Sequence, residues 1–216
     1  METRTFRFGA LSLIVAGVLF FASNLLTITL PIPPSSEAEF FPWLSENKLQ
    51  IAVQNEILFF ATLCLIPALL ALYRLMKNQL TGSSLGGLGL LGMVIPVLEM
   101  LDIVEGRLVY PVYELGLSFD VHRLVLSLYH GGMHAVSLLL GGSMILIGLA
   151  LRDITFMRST AYLGLLAGVL QILGAYPWLT GFVFNLIVSL SFSVWFVLLG
   201  INLLSYSHRM DQQEQG

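Results

Sequence analysis

Two histidines and three carboxylates are the residues of this chain whose types and spacing could do chemistry. His130 and His134 lie four residues apart, so on a helix they present two imidazoles to one point, as the histidines of zinc-binding helices do. Glu56, Glu99 and Asp102 are the acids that could meet them. This pattern predicts a zinc ion held by His130, His134 and Asp102, with Glu56, Glu99 and Asp102 as the catalytic carboxylates.

Zinc chemistry at such a site would be hydrolytic. A zinc ion with an open coordination position acidifies a bound water, and a free carboxylate then acts as the general base in the hydrolysis of a lipid or an amide. The spacing His-x-x-x-His lacks the adjacent glutamate of the zinc-protease motif. The residues alone therefore leave it open whether the chain is an enzyme.

Two other interpretations account for the same residues. Two close carboxylates in a low-dielectric site repel each other, so one holds a proton that a histidine can relay, which predicts a proton-coupled small-molecule carrier or binding protein. A six-helix chain is small for a carrier, so this interpretation allows a homodimer. The third interpretation is a structural network without catalysis. In it, His130 and His134 hydrogen-bond the acids of the third helix, and Arg107 or Arg123 pairs with Asp102 or Glu105. Glu105 lies further around its helix and is predicted to be an interface residue.

Several cofactors and partners do not fit the sequence. Retinal needs a lysine within the membrane, whereas Lys48 and Lys77 both lie in predicted loops. A haem with two histidine ligands needs them at one depth on facing helices, and His208 lies far from the level of His130. The glycines accompany no strand or nucleotide motif, and a net charge of −3 provides no basic surface for nucleic acid.

Membrane-spanning helices are the elements that must position these residues. Of the 216 residues, 56% are hydrophobic and only 11% are charged, against about 25% charged in soluble domains. We therefore predict an all-α integral membrane bundle whose surroundings are the lipid bilayer. Its six predicted helices span residues 8–30, 51–72, 85–106, 122–151, 160–179 and 182–206. Residues 1–210 would form this single domain, and residues 211–216 a polar tail.

Basic residues are distributed unevenly between the two ends of such a bundle. With both termini in the cytoplasm, seven lie on the cytoplasmic side and three on the other, which agrees with the positive-inside rule. We therefore predict a protein of the cell (inner) membrane with both termini cytoplasmic. The cytoplasmic set is Arg4, Arg7, Arg74, Lys77, Arg152, Arg158 and Arg209, and the outer set is Lys48, Arg107 and Arg123.

The first outer loop, residues 31–50, is predicted to contain a short interfacial helix. Ser36 and Glu39 stand at capping-box spacing before the aromatic residues Phe40, Phe41 and Trp43. A helix with aromatic side chains dipped into the headgroup region fits this pattern.

Small residues recur at helical spacing in two of the predicted spans. Gly86, Gly89 and Gly92 repeat every third residue in the third span, and Gly164 and Gly168 stand four apart in the fifth. Small side chains allow close approach of helix backbones in lipid, so these positions are predicted to be helix contacts.

The depth of the polar residues favours a common site. At a rise of about 1.5 Å per residue, Glu56, Glu99, Asp102, His130 and His134 all fall roughly 6–18 Å below the outer boundary. They come from three consecutive helices, which tend to be neighbours when their connections are short. The sequence thus predicts one outward-facing site that could take a lipid or small-molecule ligand.

The order of these features resembles a bacterial family of small multi-pass membrane proteins of unknown function. The similar stretches are SSEAEF at 35–40, NEILFF at 55–60, ALYR at 71–74, YHGGMH at 129–134 and the helix pair after Arg158. The resemblance implies the six-helix fold and supplies no activity.

Overall fold

The chain folds as an all-helical protein in a computed structural model that describes residues 2–77, 81–110, 112 and 116–214. Six helices in these ranges are long and apolar enough to cross a membrane, and the same ranges contain no strand. This confirms the predicted all-α fold with six helices of membrane-spanning length. The helices are α1 (Glu2–Thr29), α2 (Glu37–Met76), α3 (Gly82–Gly106), α4 (Phe119–Leu151), α5 (Arg158–Gly174) and α6 (Pro177–Glu214).

The start of α2 differs from the prediction. Residues 37–50 do not form a separate helix but are the first turns of α2, which runs 40 residues without a break, or about 60 Å. Phe40, Trp43, Leu44 and Ile51 are buried at helical spacing and pack on Val109 and its neighbours in the turn after α3. The polar residues between them occur on the opposite face, where they do not interrupt a helix.

The reversal between the last two helices lies close to where Pro177 and Gly181 predicted it. Helix α5 ends at Gly174, and α6 begins at Pro177 but is interrupted at Gly181, which has φ 72° and ψ 174°. This backbone conformation favours glycine, so the chain can bend there before the long part of α6 begins. The fifth span is correspondingly shorter than the sequence predicted.

The helices follow one another around a ring. Each packs against its neighbours in sequence, and α6 closes the ring by packing along α1. The Arg7 guanidinium contacts the Asp211 carboxylate, which brings the start of α1 and the end of α6 together. We call this the terminus end of the bundle. The opposite end, formed by residues 30–36, 107–110, 116–118 and 175–181, is called the loop-1 end.

The interior and the outer surface of the ring are both apolar. Leu65, Leu91, Met144 and Trp195 are fully buried in one continuous core. In the most apolar stretch of each helix only 33–44% of residues are buried within the protein. The remaining apolar residues face outwards, as expected for helices surrounded by lipid.

Candidate functional site

Polar side chains from α2 and α3 meet near the loop-1 end of the bundle. Asn55 of α2 donates through Nδ2 to the Asp102 carbonyl oxygen at 3.0 Å and to Asp102 Oδ1 at 3.3 Å. Asn55 and Asp102 are both buried. We call Glu99, Asp102 and Glu105 the acid cluster; these three residues lie on successive turns of one α3 face.

A second set of hydrogen bonds ties α1, α2 and α4 to this region. Gln54 Nε2 donates to the Tyr129 hydroxyl at 3.1 Å, and Ser23 Oγ donates to the Gln54 carbonyl oxygen at 3.3 Å. Glu105 faces Gln54, Asn55 and Tyr129. Tyr129, only 2% exposed, is therefore the α4 residue that reaches the acids.

The acid cluster contains carboxylate oxygens without partners. Asp102 Oδ2, Glu105 Oε2 and Glu99 Oε1 are buried and form no hydrogen bond. Asp102 and Glu105 are each only 4% exposed. The ion pairs seen in the described ranges, Arg7–Asp211 and Arg152–Asp153, do not involve these acids. The cluster thus holds either ionised carboxylates or carboxyls neutralised by a bound proton or cation, and it does so away from water.

Glu56 lies on the outer side of α2, one residue from Asn55. The Tyr110 hydroxyl donates to Glu56 Oε1 at 2.7 Å, and it also lies 3.3 Å from the Ala52 carbonyl oxygen. Burial, together with this hydrogen bond and the charge of Glu56, raises the pKa of Tyr110 to about 12. Gly106 makes room for the arrangement, since a Cβ there would lie 3.0 Å from the Tyr110 ring and 3.5 Å from Asn55 Oδ1.

The two histidines do not join the acids. Gly132 marks the α4 face that meets α3, because a Cβ there would lie 2.2 Å from a methyl group of Leu101. At about 100° per residue, His130 and His134 each lie roughly 160° from Gly132 around the helix. Both imidazoles are therefore turned away from the side of α4 that meets the acid cluster.

Each histidine has different surroundings. His130 is on the outside of the bundle, and its ring contacts that of Tyr129. His134 lies 2.7 Å through Nδ1 from the Ala175 carbonyl oxygen, and its ring packs on Tyr176 and Trp178. Its hydrogen bond fixes α4 to the turn before α6, which is a structural role.

The predicted zinc ligands do not fit a metal ion as a set. His130 and His134 are displaced from Asp102 as described above. The described part of the chain contains no group of three or more His, Cys, Asp and Glu side chains that could hold a metal.

Some members of the site were not predicted from the sequence. Tyr129, Gln54 and Tyr110 were missed, and Glu105, which was predicted to be an interface residue, is buried. Three residues turn about 60° around a helix, so the spacing places Asp102 between Glu99 and Glu105. No spacing rule connects Tyr110 with Glu56, which are far apart in the chain. Comparison with family models, curated proteins and solved structures finds no match to this chain.

Proposed function

We propose that this chain is a multi-pass protein of the cell membrane whose acid cluster binds and releases a proton, and that it serves as a proton-coupled carrier or binding protein for a small molecule. The proposal rests on one observation. Asp102 and Glu105 are buried almost completely, and each keeps one carboxylate oxygen without a hydrogen-bond partner.

The cost of burying charge favours proton binding at this cluster. An ionised carboxylate within a membrane span costs about 2.5–3.5 kcal/mol on insertion scales unless it is paired. A proton bound to Asp102 or Glu105 removes that charge and lets the carboxyl donate to a neighbouring oxygen. A network with only a structural role would be expected to satisfy its buried oxygens, because unpaired polar groups are costly there.

An exposed carboxylate next to Asn55 in the α2 sequence supports reversible exchange with the outside. Asp102 accepts a hydrogen bond from Asn55. Glu56, the next residue of α2, is exposed and accepts a hydrogen bond from the Tyr110 hydroxyl. Glu56 could therefore pass protons between the loop-1 end and the buried acids. The unequal distribution of Lys and Arg supports an orientation in which this end faces away from the cytoplasm.

Zinc-dependent hydrolysis stays a prediction of the sequence that the positions of His130 and His134 do not favour. A bound proton needs neither imidazole, whereas the predicted zinc ion needs both together with Asp102. Proton binding at the acid cluster is for that reason the function that the geometry supports best.

Infrared spectroscopy of the protein in lipid vesicles tests the proposal. A protonated carboxyl has a C=O stretching band that a carboxylate lacks. We expect this band at neutral pH, and we expect its amplitude to decrease as the pH of the medium rises. Asp102→Asn or Glu105→Gln should reduce the band. Glu46→Gln, which changes an exposed carboxyl at the start of α2, is the matched control.

Two results would contradict the proposal. A spectrum without the band, or one that the Asp102 and Glu105 variants leave unchanged, would mean that the cluster holds no proton. A band that stays constant over the whole pH range would indicate a sealed structural network. Thermal unfolding of each variant shows whether its fold is kept.

A further inference from the structure

A cavity of about 250 Å³ opens at the loop-1 end, beside the acid cluster but separate from it. It lies between the first turns of α2, the turn after α3 and the start of α4. Its lining includes Phe41, Lys48, Arg107, Tyr110 and His122. Three of these are basic side chains from three separate segments, and none of the described lining residues is acidic.

Arg107 has a guanidinium nitrogen that lacks a partner. Arg107 follows the last residue of α3, and its Nη1 is buried with no hydrogen-bond acceptor in the described part of the protein. A buried N–H without an acceptor is unfavourable, and a bound oxyanion would supply the missing acceptor. The guanidinium fork matches the oxygens of phosphate particularly well.

His122 is held in an orientation that leaves one ring nitrogen for a ligand. The side chain is only 7% exposed, and its Nδ1 lies 3.0 Å from the Ser118 carbonyl oxygen. The rings of Phe40 and Phe41 pack against the imidazole, each with its centroid at 5.5 Å. Because the Ser118 carbonyl oxygen accepts, Nδ1 is the donor, and Nε2 donates to an anion when the ring is the doubly protonated imidazolium.

We propose that this cavity binds a phosphate group. Three basic side chains suit a group that can carry more than one negative charge. The volume is smaller than the roughly 300–1,000 Å³ of sites for drug-sized ligands, so it suits a phosphate with a small substituent. The cavity lies at one end of six membrane-length helices, where the phosphates of lipids lie, although a free phosphate offers the same chemistry. The proposal does not depend on protonation of the acid cluster.

Binding of two probes to the purified full-length protein in detergent micelles tests the proposal. Native mass spectrometry measures retention of phosphatidylglycerol, and thermal unfolding in inorganic phosphate or in chloride at equal ionic strength measures the free anion. Binding of phosphatidylglycerol without a phosphate effect would identify a lipid headgroup site. A phosphate effect, with displacement of the lipid by phosphate, would identify a site for the free anion. Either result supports the proposal.

Three variants make the test specific. Arg107→Gln should weaken binding of the responding probe roughly tenfold or more, because it removes a charge-assisted hydrogen bond. Lys48→Gln, on an exposed side chain, should weaken it severalfold and keeps the test valid if Arg107→Gln unfolds. Arg123→Gln is the matched control, because Arg123 lies at the same end over the Phe119 ring but outside the cavity.

The proposal is overturned if neither probe binds. It is also overturned if Arg123→Gln weakens binding as much as Lys48→Gln and Arg107→Gln do, since the anion would then be attracted by surface charge alone. Both failures would leave the infrared test of the acid cluster unaffected.

Discussion

Tyr110 is the residue that the two polar regions of the loop-1 end share. Its hydroxyl donates to Glu56 beside the acid cluster, and its side chain also lines the basic cavity. Neither contact was predicted from the sequence, because tyrosine in a turn after a membrane span is ordinarily an interfacial anchor. Its ionisation therefore reports on both regions.

We expect Tyr110 to ionise near pH 12 rather than at its ordinary value of 10. The raised pKa means that the folded protein favours the neutral hydroxyl. The stability that this contributes is complete below about pH 10 and is lost as the pH rises towards 12. Glu56→Gln should lower the pKa of Tyr110, because the hydrogen bond to a carboxylate and its charge are lost while burial remains.

Tyrosinate absorbance measures this titration, with the difference between wild type and Tyr110→Phe giving the curve of Tyr110 alone. Glu46→Gln is again the control, since Glu46 is an exposed carboxyl nearer the start of α2. A curve centred at pH 10, or one that Glu56→Gln does not move, would show that the contact with Glu56 is not formed.

The histidines show what residue spacing can and cannot predict. The four-residue interval correctly places His130 and His134 on one side of α4, since this follows from helix geometry alone. Which neighbour that side meets is decided by packing. Tyr129, Gly132 and Val136 form the face that meets α3, because a small residue at 132 admits Leu101 and larger apolar residues flank it. Hydrophobicity could not distinguish the two faces, since lipid is as apolar as the core.

Helix contacts at glycines were predicted in part. Gly168 lies against the backbone of α4, where its added Cβ would be 2.8 Å from the Gly141 carbonyl oxygen, and Gly164 lies against Trp195. Gly89 has no atom within 4 Å of an added Cβ, although it shares the same kind of spacing. Spacing identifies a face of small residues, but the path of the neighbouring helix decides which of them it touches.

We expect Gly168→Ala to destabilise the protein by about 1–3 kcal/mol, because the new methyl group would meet backbone atoms of α4 that cannot move independently. Gly89→Ala should be neutral or stabilising by up to about 1 kcal/mol, since alanine favours the helix and meets nothing. Thermal unfolding in detergent measures both. Equal changes in stability for the two variants would mean that α4 and α5 do not cross at Gly141 and Gly168.

The ring of six helices brings both termini to one end, as the contact between Arg7 and Asp211 shows. An even number of crossings follows for a bundle that spans the membrane. Composition and the length of the apolar segments were sufficient to predict six membrane helices. A segment of about twenty apolar residues has few stable alternatives to a helix that spans the bilayer. The length of α2 was not predictable in the same way, because its first turns are held by Phe40 and Trp43 packing on residues far along the chain.

The distribution of charge predicts the direction of the bundle in the membrane, since Lys and Arg near span ends resist translocation. We expect the terminus end to face the cytoplasm. Two single-cysteine variants, made in a Cys64→Ser background, test this expectation. A membrane-impermeant maleimide should label Ser45→Cys on intact cells and His208→Cys only after permeabilisation. Both positions are exposed, and they lie at opposite ends of the bundle. The reverse pattern would invert the bundle and place the phosphate cavity and Glu56 towards the cytoplasm. Labelling of both positions on intact cells would contradict a membrane-spanning arrangement of all six helices, because the two ends would then lie on one side.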